Sequence, residues 1–226
     1  MAGALRNRLV KVHRLGENLT YAHAMRMQND LTSQLKNNKN QKGHLLLLQH
    51  KPLFTLGRLQ DSRENLLFSE EEMQQRGATL HQSSRGGNVT FHGPGQLVAY
   101  PILHLANYKQ SVRWYVEALE DVLIQCAGAF SLSARRGGGD ETGVWIQDRK
   151  VAAIGVHASR WVTSHGVALN VATDLSFFDM IVPCGLKGNP KVTSLARELC
   201  RSISVDEASA EFESAFARVF DCELEE

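Results

Sequence analysis

The sequence has no excess of charge of either sign and no long hydrophobic run. Lys and Arg total 25 against 24 Asp and Glu, so the formal net charge is +1 over 226 residues. Such a balance gives no electrostatic indication of nucleic-acid binding. There is no run of 18 apolar residues, and the start lacks the apolar core of a secretory signal. We therefore expect a soluble, intracellular protein without a nucleic-acid or membrane partner.

Cysteine is also scarce. The four cysteines stand at positions 126, 184, 200 and 222, with no C-x-x-C pair. This usage predicts free thiols in a reducing compartment, and Cys126 and Cys222 are interpreted as packing residues on helices. His92, His157 and His165 are spread over three segments without the spacing of metal ligands, so no metal site is predicted.

The first sixteen residues contain several basic residues and no acidic one. This composition is compatible with a short mitochondrial targeting segment within residues 1–16. The apolar and polar alternation of LVKVHRL, residues 9–15, favours a first β-strand instead.

Hydrophobic periodicity predicts helices and strands in a mixed α/β (α+β) arrangement. Two of the helices begin at capping boxes, Ser69 with Glu72 and Ser204 with Glu207. Without strict βαβ alternation, a single mixed domain over residues 1–226 is expected. RRGGGD, residues 135–140, is interpreted as a solvent loop. The predicted helices cover residues 20–37, 69–77, 111–127 and 204–220, and the predicted strands include residues 44–50, 143–147, 149–161 and 164–172.

The densest group of unusual residues is SRGGNVTFHGPGQLVAYP, residues 84–101, with four glycines and two prolines. Glycines let a ligand approach the main chain closely, and Arg85 can hold the wall or an anionic group. We favour a ligand cradle here over a hairpin with a buried, hydrogen-bonded His92. Neither G-x-G-x-x-G nor G-x-x-x-x-G-K-[ST] occurs, so a nucleotide loop is weakly supported.

A cysteine in IVPCGLKG, residues 181–188, is the candidate nucleophile. Pro183 and Gly185 favour a loop in which the sulfur of Cys184 is exposed, although a lone cysteine can also be a packing residue. A free thiol titrates near pKa ~8.5. An ammonium about 4 Å away would lower that pKa by roughly one to three units. Lys150 in DRKVAAIGV is the candidate; a surface lysine at a strand start is the alternative.

Four motifs in order resemble one enzyme family. SRGGNVTFHGPGQLVAYP, DRKVAAIG, SHGVALNV and IVPCGLKG followed by VTSL resemble the octanoyl-[acyl-carrier-protein]:protein N-octanoyltransferases of lipoate biosynthesis, in particular the animal mitochondrial members. The resemblance runs from roughly residue 45 to residue 200. It implies the catalytic fold of biotin and lipoate protein ligases and a location in the mitochondrial matrix. We expect a monomer.

The same resemblance implies an acyltransferase mechanism. Cys184 would carry the acyl group as a thioester, and Lys150 would lower its pKa and move protons. The donor would be octanoyl-acyl carrier protein, and the acceptors would be lipoyl domains of oxo-acid dehydrogenase E2 subunits and the glycine-cleavage H protein, without ATP or metal. The implied substrate-binding residues are Arg85, Gly86, Gly87, Asn88, Val89, Thr90, Phe91, His92, Ala153, Ile154, Gly155, Gly166, Val167 and Ala168.

Two other functions are compatible with part of this pattern. ATP-dependent lipoate protein ligases are similar in the glycine-rich segment, but they carry a His-Asp pair where this chain has His92-Gly93, and they do not rely on a PCG cysteine. A non-catalytic lipoyl-domain binding protein would not need Lys150 and Cys184. Both comparisons favour the transferase.

Overall fold

The computed structural model describes residues 8–59, 62–138, 142–182 and 191–226. No helix in these ranges is both long and apolar enough to cross a membrane. The helices are α1 (Tyr21–Asn37), α2 (Glu70–Gln75), α3 (Val112–Ala129), α4 (Leu195–Leu199) and α5 (Val205–Phe220), with 3₁₀ turns at Leu105–Asn107 and Leu175–Met180.

The strands of the described ranges form two sheets. The larger sheet contains β1 (Leu9–Arg14), β2 (Gly43–Leu48), β6 (Gln96–Ile102), β7 (Arg135–Arg136), β8 (Val144–Ile146), β9 (Arg149–Ser159), β10 (Val162–Asn170) and β11 (Glu223–Glu225). Its order is β11-β1-β2-β6-β10-β9-β8-β7. The smaller sheet contains β3 (Leu53–Leu56), β4 (Thr79–Gln82) and β5 (Thr90–His92), in the order β4-β3-β5.

Local capping defines the predicted helix starts. The Thr20 side chain accepts a hydrogen bond from the His23 N–H at the start of α1. Complete capping boxes at Ser69 and Ser204 begin α2 and α5, because the hydroxyl and the following glutamate satisfy N–H groups that the first turn leaves unpaired. The four predicted helices are confirmed.

The predicted meander is confirmed as well. Strand β9 pairs antiparallel with both β8 and β10. In the β9–β10 register, Ala153 lies opposite Ala168 and Gly155 lies opposite Gly166. The N-terminal run that was interpreted as a strand is β1, which pairs in parallel with β2.

Both faces of the large sheet are covered, as the alternation in β2 shows. Leu45 and Leu47 belong to the core that α3 and α5 build on one face. Leu46 and Leu48 pack with residues of α1 on the other face. Alternate side chains of a strand point to opposite faces, so a continuous leucine run is what a strand buried on both sides requires. A separate cluster around Phe54, Phe91 and Phe177 fills the small sheet.

Two sequence interpretations need correction. Cys126 is a helix-borne packing residue on α3, and burial raises the pKa of its thiol to about 12. Cys222, however, follows the end of α5 and the left-handed Asp221. Of RRGGGD, the two arginines form β7 instead of a loop, and its last two residues lie outside the described ranges.

Candidate active site

A cavity of about 110 Å³ lies between the glycine-rich segment and strands β9 and β10. Strand β9 contributes Ala153, Ile154 and Gly155, and β10 contributes His165 to Ala168. The remaining lining residues come from α1, the small sheet, β6 and the loops around them: Tyr21, Thr55, Leu59, Ser83, Arg85, Gly87, Asn88, Val89, Thr90, His92, Tyr100 and Thr142.

A second cavity of about 10 Å³ lies beside Lys150, with room for about one water molecule. It shares Thr90, Ala153 and Ala168 with the main cavity. Since Ala153 and Ala168 face each other across neighbouring strands, their small side chains form a neck between the two spaces. Thr90, Ala153 and Ala168 together form this neck.

Arg85 holds the cavity wall. Its Nε and Nη2 donate hydrogen bonds of 3.1 and 2.8 Å to Thr55 Oγ1, and Nη2 also donates one of 2.6 Å to the Thr55 carbonyl oxygen. Its Nη1 donates to the Gly86 carbonyl oxygen at 3.0 Å. The guanidinium is buried, and these bonds lock it to β3. Of the two roles that the sequence left open for Arg85, these bonds support that of holding the wall.

The glycines allow main chains to approach where side chains could not. A Cβ on Gly57 would lie 2.0 Å from the carbonyl oxygen of Gly87. A Cβ on Gly155 would lie 2.7 Å from Cδ of Arg85. Contacts below 3.0 Å force something to move, so any larger residue at either position would displace the wall that Arg85 holds.

His92 is both buried and hydrogen-bonded. Its Nδ1 donates to Gln96 Oε1 at 2.9 Å, and its Nε2 lies 3.4 Å from the Thr55 hydroxyl. Burial, together with His50 and Arg85 nearby, holds the pKa of His92 well below its ordinary value. His92 is therefore neutral and fixed in orientation while it lines the cavity. It is the buried, hydrogen-bonded histidine of one interpretation and part of the ligand cradle of the other.

Several cavity residues were not found from the sequence. Tyr21, Thr55, Tyr100, Thr142 and His165 come from five separate parts of the chain. Burial lowers the pKa of His165 to about 4, and its Nε2 lies 3.0 Å from the Ser84 hydroxyl. The sequence SHG carried a signal for His165, since it precedes a predicted lining glycine. Tyr100 lies within the marked segment 84–101 but was not singled out. Tyr21, Thr55 and Thr142 lie in ordinary helix, strand or loop patterns that mark no site.

Lys150 is buried, with 4 % of its surface exposed, so the alternative of a surface lysine is wrong. Its Nζ donates a hydrogen bond of 2.8 Å to the Thr142 carbonyl oxygen and lies 5.7 Å from the centre of the Trp145 ring. The Lys150 side chain also lines the small cavity. Lys150 therefore shares this cavity with the three neck residues.

The predicted lining residues are mostly brought together, with two exceptions. Phe91 stacks on Phe177 at 4.4 Å between ring centres, in the small-sheet cluster. Gly86 donates its N–H to the carbonyl oxygen of Val156 at 2.9 Å, so it joins the wall to β9 and is not among the lining residues. The other twelve predicted residues line the main cavity.

Cys184 lies outside the described residues, which end at Val182 and resume at Lys191. The Val182 N–H donates to the Asn65 carbonyl oxygen at 2.8 Å. On the other side, the carbonyl oxygen of Lys191 accepts a hydrogen bond of 2.9 Å from the Lys150 N–H. Lys191 therefore lies beside the strand that carries Lys150. In the described residues, no group of three His, Cys, Asp or Glu side chains could hold a metal ion.

The fold and this cavity define a catalytic domain of the cofactor-ligase type. The sequence matches the lipoyl protein ligase A/B catalytic domain over residues 20–217, and the chain belongs to that family. The solved structure of a lipoate-protein ligase A bound with ATP shares the fold with a TM-score of 0.74 at 14% identity, covering 96% of this chain and 87% of the other. The predicted fold class is confirmed.

Closer relatives narrow the position within the family. An octanoyltransferase of Solibacter usitatus is 48% identical, over 91% of each chain. The mitochondrial octanoyl-[acyl-carrier-protein]:protein N-octanoyltransferase of Danio rerio is 44% identical, over 95% of this chain and 94% of its own. These relatives confirm the resemblance that the four motifs predicted.

Proposed function

We propose that this protein is an acyltransferase that moves an octanoyl group from octanoyl-acyl carrier protein to a specific lysine of lipoyl domains and the glycine-cleavage H protein. Octanoyl transfer in protein lipoylation is the activity of the octanoyltransferase relatives at 44 and 48% identity. We propose the mitochondrial matrix as its location, because the Danio rerio relative is mitochondrial.

One observation carries this proposal: the buried ammonium of Lys150 lies beside the neck of a cavity with apolar walls. Lys150 lines the small cavity, and Thr142, which accepts its hydrogen bond, lines the main one. Val89, Ile154 and Val167 are among the wall residues. Burying six or seven methylenes at about 0.8 kcal/mol each would contribute roughly 5 kcal/mol to holding an acyl chain.

In the first step, the thiolate of Cys184 attacks the carbonyl carbon of the donor thioester. The bond to the phosphopantetheine sulfur breaks, and that sulfur leaves as a thiolate that takes up a proton. A nearby ammonium stabilises the attacking thiolate and can supply this proton. We assign both roles to Lys150.

In the second step, the acceptor lysine amine attacks the carbonyl carbon of the Cys184 thioester. An amide bond forms, the carbon–sulfur bond breaks, and the amine loses a proton to the Lys150 amine that the first step left neutral. Cys184 returns as a thiolate. A thioester is already activated towards an amine, so the reaction needs neither ATP nor a metal ion.

The test is the intact mass of the purified protein after brief mixing with octanoyl-acyl carrier protein in the absence of ATP. We expect a gain of one octanoyl group that hydroxylamine removes, and no gain in Cys184→Ser. Cys126→Ser serves as the matched control, because Cys126 is buried on α3, and it should still form the adduct. Transfer only from free acid and ATP would contradict the proposal and indicate a ligase; no transfer under either condition would indicate a binding protein.

A further inference from the structure

Glu198, on the short helix α4, connects two residues that flank Lys150 in space. Arg149 donates two parallel hydrogen bonds of 2.8 Å to the two carboxylate oxygens of Glu198. The hydroxyl of Thr193 donates to Glu198 Oε1 at 2.5 Å. The Glu198 carboxylate therefore holds Arg149, the residue before Lys150, and also Thr193, whose segment pairs with Lys150.

The main chain completes this arrangement. Lys150 donates its N–H to the carbonyl oxygen of Lys191 and accepts a hydrogen bond from the Thr193 N–H, both at 2.9 Å. The side-chain amide of Asn170 donates to the Thr193 carbonyl oxygen at 3.0 Å. Residues 191–193 are thus fixed to β9 at the position of Lys150. In sequence, these residues follow the segment that contains Cys184.

The two hydrogen bonds from Arg149 to Glu198 join a guanidinium to a carboxylate, and charged pairs of this kind form strong hydrogen bonds. Its side chain is 10% exposed, and that of Arg149 is 24% exposed. The bonds from Arg149, and then the one from Thr193, hold the pKa of the Glu198 carboxyl below its ordinary value despite burial. A two-pronged pair of this kind fixes orientation as well as distance, which single surface ion pairs do not.

We propose that Glu198 is a positioning residue for the reaction: it holds Arg149 and Thr193 so that Lys150 keeps its place relative to the chain that carries Cys184. Glu198 is not among the residues that line either cavity. The inference rests on the proposed function, because it requires Lys150 to act on Cys184.

The experiment measures the rate of alkylation of Cys184 by iodoacetamide against pH, read as the mass of the Cys184 peptide, together with octanoyl transfer. In Glu198→Gln we expect the alkylation rate at pH 7 to fall about fivefold, as the profile moves to higher pH. We expect kcat to fall about tenfold, with KM changed less than twofold. Glu117→Gln, which alters an exposed ion pair with Arg113 on α3, should change neither.

Two further variants make the result decisive. Thr193→Val removes only the hydroxyl and should move the alkylation profile in the same direction, so it replaces Glu198→Gln if that variant does not fold. Lys150→Ala tests the underlying pairing: an unchanged profile there would remove Lys150 from the proposed mechanism. If Lys150→Ala moves the profile while Glu198→Gln and Thr193→Val leave it in place, the positioning role of Glu198 is overturned.

Discussion

The Lys150 ammonium donates a hydrogen bond of 2.8 Å to the carbonyl oxygen of Thr142, a residue in the wall of the main cavity. The next residue, Gly143, has a φ of +129°, and a Cβ there would lie 2.7 Å from Cε of Lys150. The Lys150 side chain therefore packs closely against the loop before β8, with no room for a side chain at position 143. Both the charge of Lys150 and the space it occupies can be tested separately.

Removing the charge should remove most of the activity. We expect Lys150→Met to lower the rate of octanoyl transfer by about 100-fold or more, which is the usual range for a residue that moves protons. Steady-state assays with octanoyl-acyl carrier protein would measure this. Lys51→Met, at an exposed lysine before β3, should keep the parent rate. A Lys150→Met enzyme with more than a tenth of the parent rate would contradict the assignment.

Filling the space beside Lys150 should have a similar effect without removing the lysine. Alanine at position 143 would be strained by the positive φ and would also meet the Ala152 carbonyl oxygen at 2.5 Å. We expect Gly143→Ala to lower the free energy of unfolding by about 1 to 3 kcal/mol and to slow the transfer reaction. Urea denaturation and the transfer assay would measure both effects.

The matched control is Gly128→Ala on α3, where nothing lies within 4 Å of the new Cβ. This variant should be more stable by about 0.5 to 1 kcal/mol, because alanine is favoured over glycine in a helix. If the two alanine variants had the same stability, the fit between Gly143 and Lys150 would be refuted.

The neck should limit access of the acyl chain to the main cavity. Ala168→Val adds two methyl groups to a residue that is 4% exposed, and overpacking of this kind costs about 1 to 3 kcal/mol. We expect kcat/KM for the octanoyl donor to fall about 10-fold or more. Ala158→Val, on β9 opposite Thr163, lies outside the neck and should change kcat/KM less than twofold. An equal loss of kcat/KM in both variants would mean that the neck does not contact the acyl chain.

Three buried or half-buried histidines should make the protein sensitive to acid. Burial lowers the pKa of His44, His50 and His165 to about 4, against about 6.5 in an unfolded chain. Between these two values the unfolded state binds more protons, so stability is complete above pH 6.5 and falls as the pH drops towards 4. Each histidine contributes up to about 1.4 kcal/mol per pH unit in this window.

Urea denaturation at several pH values would measure the slope of the free energy of unfolding against pH. Replacing His50 by Gln should reduce the slope between pH 6.5 and 4.5 by about one proton. Gln34→Ala, at an exposed position of α1 without a titratable group, should leave the slope as in the parent. An unchanged slope in the His50 variant would show that this histidine is not held neutral by the fold.

Local patterns predicted much of the fold because their causes are local. Capping at Ser69 and Ser204 satisfies N–H groups within one turn, and the apolar run of β2 reports burial on both faces of a sheet. The alternation of side chains along a strand also explains why Phe91 was wrongly predicted to line the cavity. Alternation along β5 turns Thr90 and His92 towards the cavity and Phe91 to the other face, so the three consecutive residues of this strand cannot all line the cavity.

The sequence by itself determined four of the five described helices, the meander of β8 to β10 and the family, because periodicity, capping and motif order depend on residues near one another in the chain. Only the tertiary structure decided that Thr55 locks Arg85, that Thr142 receives the ammonium of Lys150 and that Glu198 joins Arg149 to Thr193. Arg85 is 30 residues from Thr55, and Lys150 is 8 residues from Thr142. Glu198 is 5 residues from Thr193 and 49 from Arg149. No local preference specifies them, since each contact forms only after the sheet has brought its separate segments together.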